Sequence, residues 1–492
     1  MTLLEKWFRH LTLGMNDSVE SDRHFLFFWS GFFLLVGLGL GSLASWDEAY
    51  YGLVSRNIIR SGDWINFTYT GGEDFYDKPP LYLWVTAAAY KLFGINEFAT
   101  RLGSALSGMG VVMATFALGR KLFDRATGLA AAGILLSSTD FLHYARWGTL
   151  DIMNLGFFTA AIYTFLTAEE KRNANLNPNL WYLGFWAASA LAVLTKGPLI
   201  VLAWGVIGFD AIVRRDLNSL RQKFFWFGAI LFIALVAPWH IAAYQHNPTQ
   251  FMKDFVLKHY VTRTTQAVEG HEGSYYFYIR TLINKFHPWI FLAPLGLALT
   301  AFKTLTGPKR REHALIAIWT TGVLAFFTFL VSTKLQWYIL PMYPAMCIAT
   351  ALFLRQIFPK GPDSLFRITV LIILFLHFPF SGVMNQDYVP GIKAIATDLK
   401  RHVSNQDYLY MYLFHEQPAG TFYFDRTISY VDSWAEVDAK LASNSASNRP
   451  TYILAPTEKY KETEAEWTRR NLKPITETTH GGQELVLLSD KA

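Results

Sequence analysis

The chain has a single cysteine, Cys347, set in an apolar run. One thiol builds neither a disulfide framework nor a thiolate metal site, and its place is that of a small buried residue. Charge is scarce as well. Asp, Glu, Lys and Arg make up 17% of 492 residues, against about 25% in a soluble domain. The deficit is concentrated in long apolar runs. A net charge of +6 comes without a basic patch interleaved with aromatics, so nothing points to nucleic acid as a partner. The sequence also lacks a glycine-rich phosphate loop, an HExxH-type ligand spacing, an internal repeat and a low-complexity tract. No cleavable leader is expected either: the run 25–44 is too long for a signal core and reads as a first membrane span.

What is present is a series of apolar segments near the roughly 20 residues that a span requires. Eleven are counted: 25–45, 101–119, 126–141, 152–168, 181–194, 197–213, 224–243, 287–303, 313–332, 337–354 and 366–384. The segment 80–93 is short and is assigned to a juxtamembrane element. With that choice the clusters Arg120/Lys121/Arg125, Lys171/Arg172, Arg214/Arg215 and Lys309/Arg310/Arg311 fall on one side, the cytoplasmic one by the positive-inside rule. Loops 46–100 and 244–286 then face outward. So does everything after about 385, and from 388 composition turns polar and helix-like and strand-like pieces alternate. The expectation is a membrane domain over 1–387 and a soluble α/β domain over 388–492.

The unusual polar residues lie in the outer loops. Asp47 and Glu48 follow the first span, as a solvated helix end or as a general base for an acceptor. Arg56 sits on an amphipathic helix at headgroup level. Lys78, before two prolines, is a snorkelling anchor or a point charge for phosphate. Asp151 heads a span, as a cap or as a functional carboxylate. Lys196 lies in LTKGP, as an anchor or an anion ligand. The histidines of 244–286 show no ligand spacing, and Arg263 among them has a fork suited to phosphate oxygens. Lys334 and Tyr338, one turn apart, can converge on one anion or belong to an aromatic belt.

Taken in order, WDEAYYGLVSRNIIRSGDW, YDKPPLYLW, RLGSAL, ARWGTLD, LTKGP and STKLQWYILPMYP resemble the dolichyl/polyprenyl-phosphate-mannose protein mannosyltransferase superfamily over residues 24–355. Within it the likeness is greatest to bacterial lipid A aminoarabinose transferases. The resemblance implies a mainly α membrane protein of the C-type glycosyltransferase fold, with 11–13 transmembrane helices and a periplasmic C-terminal α/β domain. It implies a multi-pass protein of the plasma membrane, with a polyprenyl-phosphate sugar as donor. The acceptor would be lipid A, another glycolipid, a polysaccharide or a protein.

Position by position, the resemblance makes Asp47 the catalytic aspartate, Glu48 its acidic neighbour and Asp151 a required carboxylate. Lys78, Arg263 and Tyr338 would hold the lipid phosphate, and Arg56 and Lys334 are added to that set from their positions. No cofactor is required, though a divalent cation is allowed for and its ligands are unassigned. The chain departs from the aminoarabinose pattern after the first span: Tyr50 stands for an arginine and Leu53 for a glutamate, which separates the fold match from the identity of the sugar. The alternative function is a lipid-linked sugar transporter or flippase. Transporters place ionisable groups near the midplane, between repeats, whereas here they gather at one face.

Overall fold

A computed structural model describes residues 18–268, 270–359, 363–380, 386–414, 417–447 and 449–491. Each apolar segment falls on a helix, with residues 381–384 of the last one outside the described residues. Among the described residues, five helices are long and apolar enough to cross a membrane: Glu97–Leu122, Lys223–His246, Trp289–Thr306, Arg310–Leu330 and Gln336–Ile357. The first has 26 residues, about 39 Å at 1.5 Å per residue. Some of the others, such as Arg125–Leu136, are shorter and packed among their neighbours. Small residues allow that closeness. Gly119 meets Gly128, where an added Cβ would stand 2.5 Å from the Phe116 carbonyl.

The first segment was expected to be helical to residue 45, but the helix Val19–Leu35 stops short. The stretch after it is glycine-rich, and Gly37 and Gly41 adopt φ of 67° and 74°, which favours glycine over any other residue. The freed carbonyls of Leu38, Leu40 and Ser42 turn inward and accept hydrogen bonds from Arg101. Two helices then lie in the loop 46–100. Asp47–Ser61 ends on the left-handed Gly62, and Leu81–Phe93 starts directly after Pro79-Pro80. In the second outer loop, Phe251–Thr262 is a wide helix of the π type.

The C-terminal region holds one five-stranded sheet in the order β2-β1-β3-β5-β4. The strands are β1 Tyr408–Tyr412, β2 Ser429–Val431, β3 Thr451–Pro456, β4 Lys473–His480 and β5 Gln483–Ser489. β1 runs parallel to β2 and β3, and β5 runs antiparallel to β3 and β4. Period-two alternation divides its faces. Tyr410, Tyr412, Ile453 and Trp467 share one core, while Leu409, Met411, Leu454 and Leu487 share another with Ala49, Tyr90 and Ala99 of the membrane unit. The second face therefore docks the sheet onto the loop 46–100. The charged stretch 458–470 forms two short helices, Thr457–Glu462 and Glu464–Arg469. β4 was unforeseen because it is an edge strand whose polar side chains are mostly exposed.

Polar contacts reinforce the docking. Arg60 forks onto Asp425 at 2.6 and 2.7 Å. The Tyr423 hydroxyl donates to Glu97 and accepts from the Leu43 amide. Ser42 is held from both sides, its amide by Asp387 and its hydroxyl by the Val389 amide.

Candidate active site

The site is assembled by four chain segments that meet beside the start of the Asp47–Ser61 helix. Asp47 opens that helix and accepts from the Tyr51 hydroxyl one turn later, at 3.3 Å. Its carboxyl is half-buried. Burial raises its pKa above the usual carboxylate value, the charge of Asp151 raises it further, and Lys78, Tyr51 and Lys196 oppose the rise. Asp151, buried at the head of the Asp151–Asn173 helix, is ion-paired with Lys196. The Lys196 ammonium lies 5.1 Å from the centre of the Tyr338 ring, a cation–π distance.

Lys78 stands on the other side of Asp47. It is half-buried, and among the described residues it has no hydrogen bond and no ion pair. Burial lowers its pKa to about 8, with the positive charge of Arg263 adding to the shift and Asp77 and Asp47 opposing it. Arg263 follows the π-type helix. Its carbonyl accepts from the Thr333 amide, and that of Thr264 from Ser332, so this loop is tied to the segment leading to Tyr338. Asp77 joins the two outer loops, bonded by the Tyr50 hydroxyl at 2.9 Å and by His259 Nε2 at 3.0 Å. Burial and Lys78 depress His259 to a pKa of about 4. The ring is therefore neutral at pH 7, and it donates from Nε2 to the carboxylate.

Of the residues expected in the site, Asp47, Lys78, Asp151, Arg263 and Tyr338 are thus linked, through Lys196, into one electrostatic neighbourhood. Three others are not part of it. Glu48 is fully buried and saturated. It accepts from both Arg101 Nε and Nη2, at 2.9 and 3.1 Å, from the Ala44 amide and from the Gly148 amide at 2.6 Å. It is a strut, with no oxygen left for a substrate. Arg56 turns the opposite way and binds the Phe422 carbonyl and Asp425 in the C-terminal region. Lys334 spends its ammonium on the carbonyls of Phe327, Thr328 and Val331, at 2.6, 2.8 and 2.5 Å, and caps the end of the preceding helix.

Tyr51 had a signal in the sequence, its spacing of four from Asp47 on a helix. Asp77 had one in its adjacency to Lys78. Nothing local marks His259, whose partner is far away in sequence. Arg146 donates to the Phe33 and Val36 carbonyls and caps the first helix. Among the described residues, no three His, Cys, Asp or Glu side chains are grouped so as to share a metal ion.

Comparison with known proteins bears on the family and the fold. Residues 77–241 match the family model described as dolichyl-phosphate-mannose-protein mannosyltransferase. A protein of Aquifex aeolicus is 30% identical over 365 residues, covering 71% of this chain and 69% of its own. The chain belongs to the polyprenyl-phosphate-sugar glycosyltransferase superfamily. Within that superfamily, the undecaprenyl phosphate-α-4-amino-4-deoxy-L-arabinose arabinosyl transferase of Shewanella sediminis is 28% identical over 325 residues, 64% of this chain and 57% of the enzyme. The chain therefore spans little over half the length of that transferase. The crystal structure of ArnT from Cupriavidus metallidurans bound to undecaprenyl phosphate superposes with a TM-score of 0.73 at 19% identity, covering 96% of this chain and 98% of that one. The archaeal oligosaccharyltransferase AglB from Archaeoglobus fulgidus gives 0.58 at 16% identity, covering 96% and 71%. The fold is thus the C-type glycosyltransferase fold, with a small C-terminal sheet. The relatives named here by activity are transferases, which does not favour the transporter alternative.

Proposed function

We propose that the protein transfers a sugar from a polyprenyl-phosphate donor to an acceptor at the outer face of the plasma membrane. The observation that carries this reading is the state of Lys78. A half-buried ammonium with no hydrogen bond or ion pair among the described residues, in the field of Arg263 and Asp47, is an incomplete ion cluster that an anion would complete. The donor's phosphate supplies that anion. Tyr338 and Lys196 border the same space.

In this reading the acceptor's nucleophilic oxygen or nitrogen attacks the anomeric carbon of the donor sugar. The bond from that carbon to the phosphate oxygen breaks, and polyprenyl phosphate leaves with its electron pair. The acceptor's proton passes to Asp47, whose raised pKa brings it closer to the working range of a general base. Lys78 and Arg263 stabilise the charge that grows on the leaving phosphate. Asp151, paired with Lys196, keeps a second carboxylate beside Asp47 and sustains that raised pKa. A cavity of about 460 Å³ between the helices, lined by Pro198, Val201, Trp204, Phe232, Phe251 and Phe255, opens next to Gly197. Its apolar lining suits the first units of a polyprenyl chain.

The test is binding of undecaprenyl phosphate to the purified protein, followed by native mass spectrometry. Wild type should bind it, Lys78→Ala should weaken binding about tenfold or more, and Lys334→Ala should bind as wild type does. Unchanged binding in Lys78→Ala would remove the central support for this function.

A further inference from the structure

A group of aromatic rings adjoins the carboxylates, and the transfer scheme above makes no use of it. Trp147 and Trp337 meet edge to face with centroids 6.1 Å apart, and Trp147 lies nearly parallel to Tyr388 at 6.3 Å. His143 packs on Trp147 at 5.2 Å and Tyr144 on Trp337 at 6.1 Å. Each ring is fixed by a residue already described. Trp147 precedes Gly148, whose amide holds Glu48. Trp337 precedes Tyr338. Tyr388 follows Asp387, which holds the Ser42 amide.

The group is neither a simple core nor a lipid-facing belt. Tyr388 is 41% exposed and both tryptophans are half-buried. In a belt the indole N–H reaches headgroup water, whereas Trp147 Nε1 is buried without an acceptor. Beside the rings, Lys285 is half-buried and has neither hydrogen bond nor ion pair among the described residues. Asp140, which lies in its field, is engaged by the Tyr343 hydroxyl at 2.6 Å.

The rings are tied to the carboxylates by Tyr144, which packs on Trp337 and lies in the field of Asp151 and Asp47, and by Trp147, whose neighbour Gly148 holds Glu48 beside Asp47. An acceptor must stand beside Asp47 if Asp47 is its base. Faces of aromatic rings beside polar tips are complementary to the C–H faces and hydroxyls of a sugar.

We infer that Trp147, Trp337 and Tyr388 form an acceptor subsite that stacks a saccharide ring, so that the acceptor is a glycan or glycolipid. The inference rests on Asp47 being the base of the transfer. The experiment is saturation-transfer NMR on the full chain in lipid nanodiscs, with chitobiose and maltose as probes and a Ser/Thr-rich peptide in parallel. At least one disaccharide should be saturated by wild type and equally by Tyr388→Phe, which keeps the ring. Tyr388→Ala should weaken that binding roughly three- to tenfold. A wild-type protein that saturates neither disaccharide, or only the peptide, overturns the inference, as does equal binding by Tyr388→Ala. Asp47→Asn should bind the disaccharide as wild type does and fail to transfer. Should Asp47→Asn transfer normally while Tyr388→Ala loses binding, the role of Asp47 falls and the saccharide subsite stands.

Discussion

Glu48 and Arg101 form a buried two-pronged ion pair at 2.9 and 3.1 Å, with both side chains at or below 1% exposure. The pair is saturated beyond itself. Arg101 also donates to the carbonyls of Leu38, Leu40, Ser42 and Gln386, and Glu48 accepts from the Ala44 and Gly148 amides. One contact thereby fixes the loop before Asp47, the turn before Asp151 and the connection to the C-terminal sheet. Adjacent acids in the sequence thus take different tasks: Asp47 faces the site, and Glu48 sets where Asp47 stands.

Removing one partner of such a pair leaves an uncompensated buried charge and costs about 3–5 kcal/mol. Glu48→Gln and Arg101→Met should each lower the thermal midpoint of the purified protein and abolish transfer. The double variant Glu48→Gln/Arg101→Met should be more stable than the sum of the single losses predicts. Strict additivity in a double-mutant cycle would mean that the two side chains do not act as a pair.

Lys78 and Lys334 give opposite outcomes on the same substitution. Lys334→Met removes three charge-assisted bonds to helix-end carbonyls and should destabilise the protein by about 1.5–3 kcal/mol or more, with the KM for donor unchanged. Lys78→Met should keep the thermal midpoint and raise the donor KM about tenfold or more. Steady-state kinetics beside calorimetry separates the two. A Lys334→Met enzyme with a raised donor KM and full stability would restore Lys334 to the phosphate set.

The outer loops were partly legible in the sequence. Asp47, Lys78 and Asp151 stand out in the sequence because charge at a membrane boundary is expensive. Arg56 and Lys334 satisfied the same criterion and were misplaced, since charge alone does not say which way a side chain turns. Arg56 faces Asp425, 369 residues further along the chain. Lys334 bonds to carbonyls that exist as acceptors only because the helix before it ends there. The helical segments were legible from hydropathy, but their ends were not. The first helix stops at Leu35 before a glycine-rich stretch in which the carbonyls of Leu38, Leu40 and Ser42 are taken up by Arg101, a long-range contact without local trace. The Lys473–His480 strand was hidden because an edge strand with exposed polar residues carries no apolar alternation.

Two opposing titrations shape the pH dependence. Asp47 must be ionised to accept a proton, and its pKa is raised by burial and by Asp151. Activity should therefore fall on the acid side at a pH above that of an ordinary carboxylate. Lys78 must be charged to hold phosphate, and in the free enzyme its pKa is lowered to about 8. The pH profile of kcat/KM should be a bell whose alkaline limb lies near 8, because kcat/KM reports the free enzyme. In kcat that limb should move upward, since a bound phosphate favours the charged lysine. Lys78→Arg should remove the alkaline limb. A wild-type limb that persists unchanged in Lys78→Arg would assign it to another group.

The interface with the C-terminal sheet rests on Asp425, which serves Arg56 and Arg60 together. Arg60→Ala deletes the exposed member and should cost no more than about 1 kcal/mol. Asp425→Ala strands the buried Arg56 and should cost more, about 1–3 kcal/mol. Hydrogen exchange should show the Asp47–Ser61 helix and residues 418–424 losing protection together in Asp425→Ala. Loss confined to one side would argue against a coupled interface.

The most direct test of the account is release of polyprenyl phosphate when purified protein is incubated with a whole-membrane lipid extract containing the donor and acceptor. Wild type should release it. Asp47→Asn should lose about 10²- to 10⁴-fold of that rate while still binding undecaprenyl phosphate and unfolding at the wild-type temperature. Release by Asp47→Asn at the wild-type rate would contradict the account at its centre.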